Sequence, residues 1–210
     1  MSLGELSTIL VWGAVTAYAV ALVAFATDLA RRAEAAAKPA REAALVGGPR
    51  PGPGVADAPG VAGVPEAPTG GVVPGRWAGR VLGIAMSTTT VGLALHVAGA
   101  VLRGLAAGRV PWANMYEFTL IGTLAAVVTF RVLCLRRDVR FLGTIVIGLS
   151  VVALGLGLAA FYVPADAVEP ALQSYWLVIH VSIATIATGL FTVAVAAGVL
   201  QLLKDSWENA

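Results

Sequence analysis

Long uninterrupted apolar stretches dominate this chain, and five of them are long enough to cross a lipid bilayer as helices. Because an α-helix rises about 1.5 Å per residue, a hydrocarbon layer of about 30 Å takes about 20 residues. The pattern predicts an all-α fold, an integral membrane bundle of about five transmembrane helices. Arg131 is the only charged residue within the predicted spans, and its long stem can extend to the membrane interface. The predicted spans are residues 6–27, 81–102, 118–135, 141–163 and 175–203.

The composition agrees with a membrane protein and excludes other classes. Hydrophobic residues make up 58% of the 210 residues, which is more than a soluble domain of this size can bury. The net charge of +2 does not indicate a nucleic-acid partner, because the basic residues lie near the ends of the spans. Cys134 is the only cysteine, so the chain has neither an internal disulfide nor a cysteine-based metal site.

Lysine and arginine are distributed unequally between the two ends of the predicted spans. Of the 14, all except Arg103 and Arg109 lie on the same side when the spans alternate in direction. Cytoplasmic loops retain such residues, which predicts the N-terminus outside, the C-terminus inside and outer loops at residues 103–117 and 164–174. The first span has no basic residue before it and two arginines shortly after it, which predicts a retained anchor.

The segment between the first two spans has a different character. Residues 33–75 are rich in Ala, Gly, Pro and Val, and they lack helical periodicity and large apolar anchors. We therefore predict three parts: a first transmembrane helix at residues 1–28, a flexible cytoplasmic linker at residues 29–80, and a four-helix membrane portion at residues 81–210.

The two histidines of the chain both lie inside predicted spans. His96 and His180 are each six residues from the predicted outer end of their span, which corresponds to a depth of about 9 Å. Ionisable groups within a membrane favour a functional hypothesis, and neutral imidazole is a common ligand of haem iron. The alternative is that each ring packs in the bundle and hydrogen-bonds to a backbone carbonyl of a neighbouring helix.

The residues that share a helical face with each histidine bear on this choice. Gln173, Trp176 and His180 lie on one stripe, which suits a flat ligand that enters from the outer surface, although an interfacial aromatic belt gives the same pattern. Arg103 shares a stripe with His96. It can pair with a carboxylate, including a haem propionate, or it can face lipid headgroups.

The predicted outer loop after the second span ends in the sequence GRVPWANMYEF. Trp112 and Tyr116 are typical membrane-interface anchors, and Asn114 and Glu117 are suited to cap the N-terminus of the third helix. The chain contains no HExxH motif and no carboxylate pair within a span, which disfavours a zinc protease and a proton pump with a buried carboxylate relay.

Two sequence blocks of this chain resemble those of a known protein family. PALQSYWLVIHVSIA, at residues 170–184, resembles the haem-handling membrane proteins of cytochrome c maturation of the CcsA/ResC type. GRVPWANMYEF, at residues 108–118, is similar to an earlier loop of that family. Together with the span order and the long segment after the first span, they most resemble the actinobacterial members, often called CcsB.

The resemblance implies a function, a cofactor and partners. Such proteins reside in the bacterial plasma (inner) membrane and act with a ResB-type partner subunit as a cytochrome c haem lyase. They bind a b-type haem transiently and present it to apocytochrome c at the outer face. The resemblance implies that His180 is an axial ligand of the haem iron. The candidate cofactor-binding residues are therefore His180, Trp176, His96 and Arg103, with His96 as a second iron ligand on the basis of its depth alone.

The sequence also departs from the family pattern. The tryptophan-rich motif of the WGxxWxWDxxE kind is absent, and the five tryptophans are scattered. We therefore expect an N-terminal fragment of such a protein, incomplete as an enzyme by itself. Two other functions remain open at this point. One is an electron-transfer membrane subunit that holds haem b between His96 and His180, and the other is a haem-free assembly or transport protein.

Overall fold

The structure, a computed structural model, describes residues 1–45, 76–165 and 174–208, and within these ranges it is helical without any β-strand. Each of the five α-helices contains a stretch long and apolar enough to cross a membrane, which confirms the predicted fold class. A short 3-10 helix, Arg140–Leu142, precedes the fourth helix. The helices are α1 (Leu3–Leu45), α2 (Arg76–Ala107), α3 (Met115–Arg136), α4 (Gly143–Ala160) and α5 (Tyr175–Glu208).

The helices do not begin and end where the apolar pattern alone places them. α1 continues as a helix to Leu45, into the segment for which we expected a flexible linker. This extension contains many Ala, Glu, Lys and Arg residues, which favour helix strongly although they are not apolar. α2 begins at Arg76, so residues 76–80 of the expected linker are helical as well. The remaining part, residues 46–75, lies outside the described residues. α4 is shorter than predicted, because the chain leaves the helix at Phe161.

The helices pack in a definite order around the core. α1 lies along α2 and also packs against α4, whereas α3 packs against α4 and α5. Contacts between α2 and α3 are few, and α5 makes most of its contacts with α3. α5 is therefore a peripheral helix with a broad apolar surface turned away from the other described helices.

Several hydrogen bonds show which helix ends lie together. Ser7 near the start of α1 donates to the carbonyl of Gly99 near the end of α2, and Thr8 bonds to Tyr162 just after α4. Arg103 of α2 reaches Glu117 in the first turn of α3. We call this the outer end of the bundle, because it carries the two connections that the charge pattern predicts to be external.

Glycines determine how closely the helices approach one another. A Cβ atom added at Gly92 of α2 would lie 2.6 Å from the ring of Tyr18, and one added at Gly143 would lie 2.6 Å from the ring of Phe25. Both aromatic rings belong to α1 and are buried. Small residues thus allow α2 and α4 to approach the two large side chains of α1, as is common in membrane helix packing.

Candidate functional site

His180 and Trp176 lie at the exposed beginning of α5. Trp176 is 79% exposed, and His180 is exposed as well. No described residue hydrogen-bonds to the His180 ring. Gln173, the third member of the predicted stripe, lies outside the described residues. The imidazole of His180 is therefore accessible to a ligand from outside the bundle.

The packed part of α5 begins one turn further along the helix. Thr185 and Gly189 are buried, and the residues between them and His180 are only partly covered. A Cβ atom added at Gly122 of α3 would lie 3.9 Å from Cγ2 of Thr185, and one added at Gly189 would lie 2.5 Å from Cβ of Ala125. The α3–α5 contact therefore holds the helix that carries His180, while the histidine itself projects beyond that contact.

His96 has a different environment. It is fully buried, and its Nε2 atom lies 3.0 Å from the carbonyl oxygen of Leu120 in α3. Because a carbonyl oxygen only accepts, Nε2 carries the proton and donates. The neutral ring then accepts at Nδ1 from the hydroxyl of Tyr18 in α1, at 3.3 Å. The two rings also meet edge to face, with 5.9 Å between their centroids.

Both ring nitrogens of His96 are thus occupied by protein groups from two other helices. Iron ligation by His96 requires the loss of at least one of these bonds in the buried interior. The observed geometry is the packing alternative considered above, in which the histidine bonds to a backbone carbonyl. His96 and His180 both lie near the outer end, since Leu120 and His180 are each five residues, or about 8 Å, from the start of their helix.

Arg103 belongs to a buried ion cluster, in which the carboxylate of Glu117 lies between the guanidinium groups of Arg103 and Arg109. Nε of Arg103 donates to Oε1 of Glu117 at 2.9 Å, and Nη1 of Arg109 donates to Oε2 at 2.7 Å. The Arg103 and Glu117 side chains are 1% and 0% exposed, and that of Arg109 is 19% exposed. The predicted pairing of Arg103 with a carboxylate is therefore found, and the carboxylate belongs to Glu117. Because the Arg103 side chain is buried, it does not face lipid headgroups in this structure.

Arg103 also holds the chain that leaves α4. Its Nη2 atom donates to the carbonyl oxygens of Val163, at 2.6 Å, and Pro164, at 3.2 Å. The guanidinium carbon lies 5.1 Å and 5.8 Å from the ring centroids of Tyr116 and Tyr162, within the range of cation–π attraction. Arg103 therefore connects α2, α3 and the start of the segment that leads to α5.

The predicted cap of α3 is confirmed for Asn114, and Glu117 has more partners than the prediction included. The side chain of Asn114 accepts a hydrogen bond from the backbone N–H of Glu117 at 2.9 Å, as an N-cap residue does. Glu117 accepts from the backbone N–H of Ala113 and in addition from both arginines of the ion cluster. Sequence reasoning placed Arg109 in the outer loop but missed its partner, although Glu117 is the only acid in that loop.

The described residues do not contain a group of three or more His, Cys, Asp and Glu side chains that could hold a metal ion. A single exposed imidazole, that of His180, lies at the outer end of α5. Trp176, one helical turn before His180, offers a flat apolar surface on the same side of α5.

One comparison with known proteins bears on this site. Residues 112–209 match the family model of the Cytochrome C assembly protein. The match begins at Trp112, next to the cap of α3, and includes α3, α4 and α5 with His180; it spans slightly less than half of the chain. No curated protein and no solved structure matches the chain. The match supports a role in cytochrome c biogenesis at a membrane, in agreement with the resemblance noted in the sequence.

Proposed function

We propose that this chain belongs to the CcsA/ResC-type cytochrome c assembly proteins and presents haem at the outer membrane surface for attachment to apocytochrome c. The observation that carries the proposal is the position of His180, an accessible imidazole within the segment that matches the assembly family. Haem is the cargo in this proposal and is bound transiently. The thioether bonds form with the thiols of the apocytochrome, so this chain contributes binding and orientation.

Each candidate residue has a specific role in the proposal. His180 supplies an axial ligand to the iron, and Trp176 covers part of one face of the porphyrin. Arg103 acts as a positioning residue, because its buried Nε and Nη2 atoms already donate to Glu117 and to the carbonyl of Val163. His96 supports the bundle through its bonds to Tyr18 and Leu120. A ResB-type subunit is the proposed partner.

The proposed topology places the outer end of the bundle on the external side of a bacterial plasma membrane. A phosphatase reporter fused after Ala107, the last residue of α2, is expected to be active, because that enzyme folds only outside the cytoplasm. A fusion after Arg137, at the opposite end of α3, is expected to be inactive and serves as the matched control. The reverse activities would show that the charge distribution predicts the wrong orientation.

Replacement of His180 tests the proposed ligand. His180→Gly is expected to abolish the Soret absorbance that hemin develops with the purified protein, and added imidazole is expected to restore it by filling the space of the missing ring. His96→Leu is the matched control. It should lower thermal stability, because Tyr18 and the Leu120 carbonyl lose their partner, but it should keep the haem spectrum.

The outcomes separate the proposal from its two alternatives. An unchanged spectrum in a folded His180→Gly variant would exclude His180 as a ligand. Haem that remains bound in the presence of apocytochrome c, and that is lost on replacement of either histidine, would favour an electron-transfer subunit. The hydrogen bonds on both nitrogens of His96 count against that alternative. A wild-type protein that stays colourless with hemin would favour the haem-free alternative.

A further inference from the structure

Arg131 is a cation inside the third membrane span. It lies in α3 five residues before Arg136, the last residue of that helix, which corresponds to about 7.5 Å along the helix axis. Arg131 is partly buried, and α3 is long and apolar enough to cross a membrane. A charged group at this depth costs free energy unless it finds a partner or reaches the membrane interface. The partners of Arg131 therefore decide how the span accommodates its charge.

Arg131 has no hydrogen bond or ion pair to any of the described residues. The guanidinium groups of Arg32 and Arg103, in contrast, bond to the carboxylates of Asp28 and Glu117. Arginine keeps its positive charge in proteins, and its planar guanidinium group carries several N–H donors. The described part of the chain therefore leaves the charge and the donors of Arg131 to a group outside it.

The end of α3 and the connection that follows it carry further positive charge. We call this end of the bundle, opposite the outer end, the inner end. Its exposed arginines are Arg136, Arg137 and Arg140. Asp138 is the only acid among residues 136–140, and it bonds to Arg140 with its own side chain 76% exposed. Arg131 and Arg140 both lie close enough to Cys134 to act electrostatically on its thiol, so the two guanidinium groups border one region.

The face of α3 that carries Arg131 is otherwise apolar. Leu124, Val128, Arg131 and Leu135 follow one another at spacings of four, three and four residues, so they lie on one face of the helix. Val128 is 39% exposed and Leu135 is 77% exposed. In a membrane-spanning helix, exposed apolar side chains contact the acyl chains of lipids. An apolar face with one guanidinium group near the headgroup level matches a phospholipid, whose phosphate accepts the paired N–H bonds of arginine.

We propose that the inner end of α3 binds one anionic phospholipid, with its phosphate at Arg131 and an acyl chain along Val128 and Leu124. The alternative partner for an arginine in a span is a carboxylate on a helix of another protein. The neighbouring exposed arginines favour the lipid, because headgroup phosphates are plentiful at their level whereas a single carboxylate would balance only one of them. The proposal goes beyond haem presentation and does not depend on it.

Native mass spectrometry of the full chain tests the proposal. The protein is released from nanodiscs that contain equal amounts of phosphatidylglycerol and phosphatidylcholine with the same acyl chains. We expect one retained phosphatidylglycerol per wild-type chain and weaker retention of phosphatidylcholine. Arg131→Gln should lower the retention of phosphatidylglycerol about fivefold, the loss expected for one basic residue near the membrane surface. Arg131→Lys should keep most of the retention, because lysine also binds phosphate through its positive charge.

Arg80→Gln is the matched control. Arg80 is exposed near the start of α2, at the inner end, so this variant removes the same charge from a different helix. It should retain phosphatidylglycerol as the wild type does. Equal losses in Arg80→Gln and Arg131→Gln would overturn the proposal, since a general attraction of the surface charge would then explain both. Unchanged retention in Arg131→Gln would overturn it as well.

Thermal unfolding in detergent gives a second measurement. Added phosphatidylglycerol should raise the unfolding temperature of the wild type but not that of Arg131→Gln, because a ligand stabilises only a protein that binds it. An equal rise in both proteins would contradict the proposal. So would a second protein that co-purifies with the wild type and is lost from Arg131→Gln, because a group of that protein would then be the partner of Arg131.

Discussion

Glu117→Gln is expected to lower the free energy of unfolding by about 3–5 kcal/mol, the cost of leaving a buried charge without its partner. The substitution keeps the size of the side chain but removes the negative charge that the guanidinium groups of Arg103 and Arg109 share. Arg103 is held within the bundle by its bonds to the carbonyls of Val163 and Pro164, so it cannot turn towards water without releasing the chain after α4. Thermal or denaturant unfolding in detergent, followed by circular dichroism, measures the effect.

The control for this prediction is an ion pair at the surface. Asp138 bonds to Arg140 at 3.3 Å, but its side chain is 76% exposed. Asp138→Asn should therefore cost about 1 kcal/mol or less. Adding Arg109→Gln to Glu117→Gln should recover part of the loss, because it removes the repulsion between like charges. A Glu117→Gln variant as stable as Asp138→Asn would show that the buried cluster does not stabilise the bundle.

Gly189→Leu is expected to separate α5 from α3. A Cβ atom at this position would lie 2.5 Å from Cβ of Ala125 and 2.8 Å from the backbone nitrogen of Ala126. The obstacle is partly backbone, so rotation of a side chain cannot relieve it. The expected loss of stability is about 3 kcal/mol or more, at or above the usual cost of overpacking a core. Because α5 makes most of its contacts with α3, the whole helix must shift.

A disulfide between the two helices measures this separation directly. A Cβ atom at Gly122 would lie 3.9 Å from Cγ2 of Thr185, so Gly122→Cys and Thr185→Cys are suited to form a disulfide in a Cys134→Ala background. Counting free thiols with a maleimide mass tag should show rapid oxidation of this pair and slow oxidation when Gly189→Leu is added. Gly198→Leu on the same helix is the control, since no atom lies within 4 Å of its Cβ position. Equal oxidation in both variants would contradict the prediction.

The contact at Gly189 also connects packing with the proposed function. His180 lies nine residues before Gly189 on α5, in a part of the helix that is exposed. Its position relative to the outer end of α3 therefore depends on the contact at Gly189 and on that between Thr185 and Gly122. Haem binding by Gly189→Leu should be weakened although the ligand itself is unchanged, whereas Gly198→Leu should bind haem as the wild type does.

The amino-acid sequence by itself predicted the five helices and the alternating direction of successive helices. Both depend on local properties, because the length of an apolar stretch decides whether it can cross a bilayer. The cap at Asn114 was predictable for the same reason, since it involves a residue only three positions away. The continuation of α1 to Leu45 was missed because hydropathy, and not the helix propensity of an Ala-rich segment, set the predicted end.

Only the tertiary structure decided which polar groups meet. From the sequence, the partner of Arg103 could be a carboxylate, including a haem propionate, or lipid headgroups. In the structure α2 and α3 bring Arg103 next to Glu117, which is its partner. The difference between His96 and His180 arose in the same way, since the partner of His96 in α1 is 78 positions away in the chain. Such contacts depend on how whole helices pack, and that packing is set by close approaches at residues such as Gly92 and Gly189. A residue's chemical type thus limits what it can bind, and helix packing determines what it does bind.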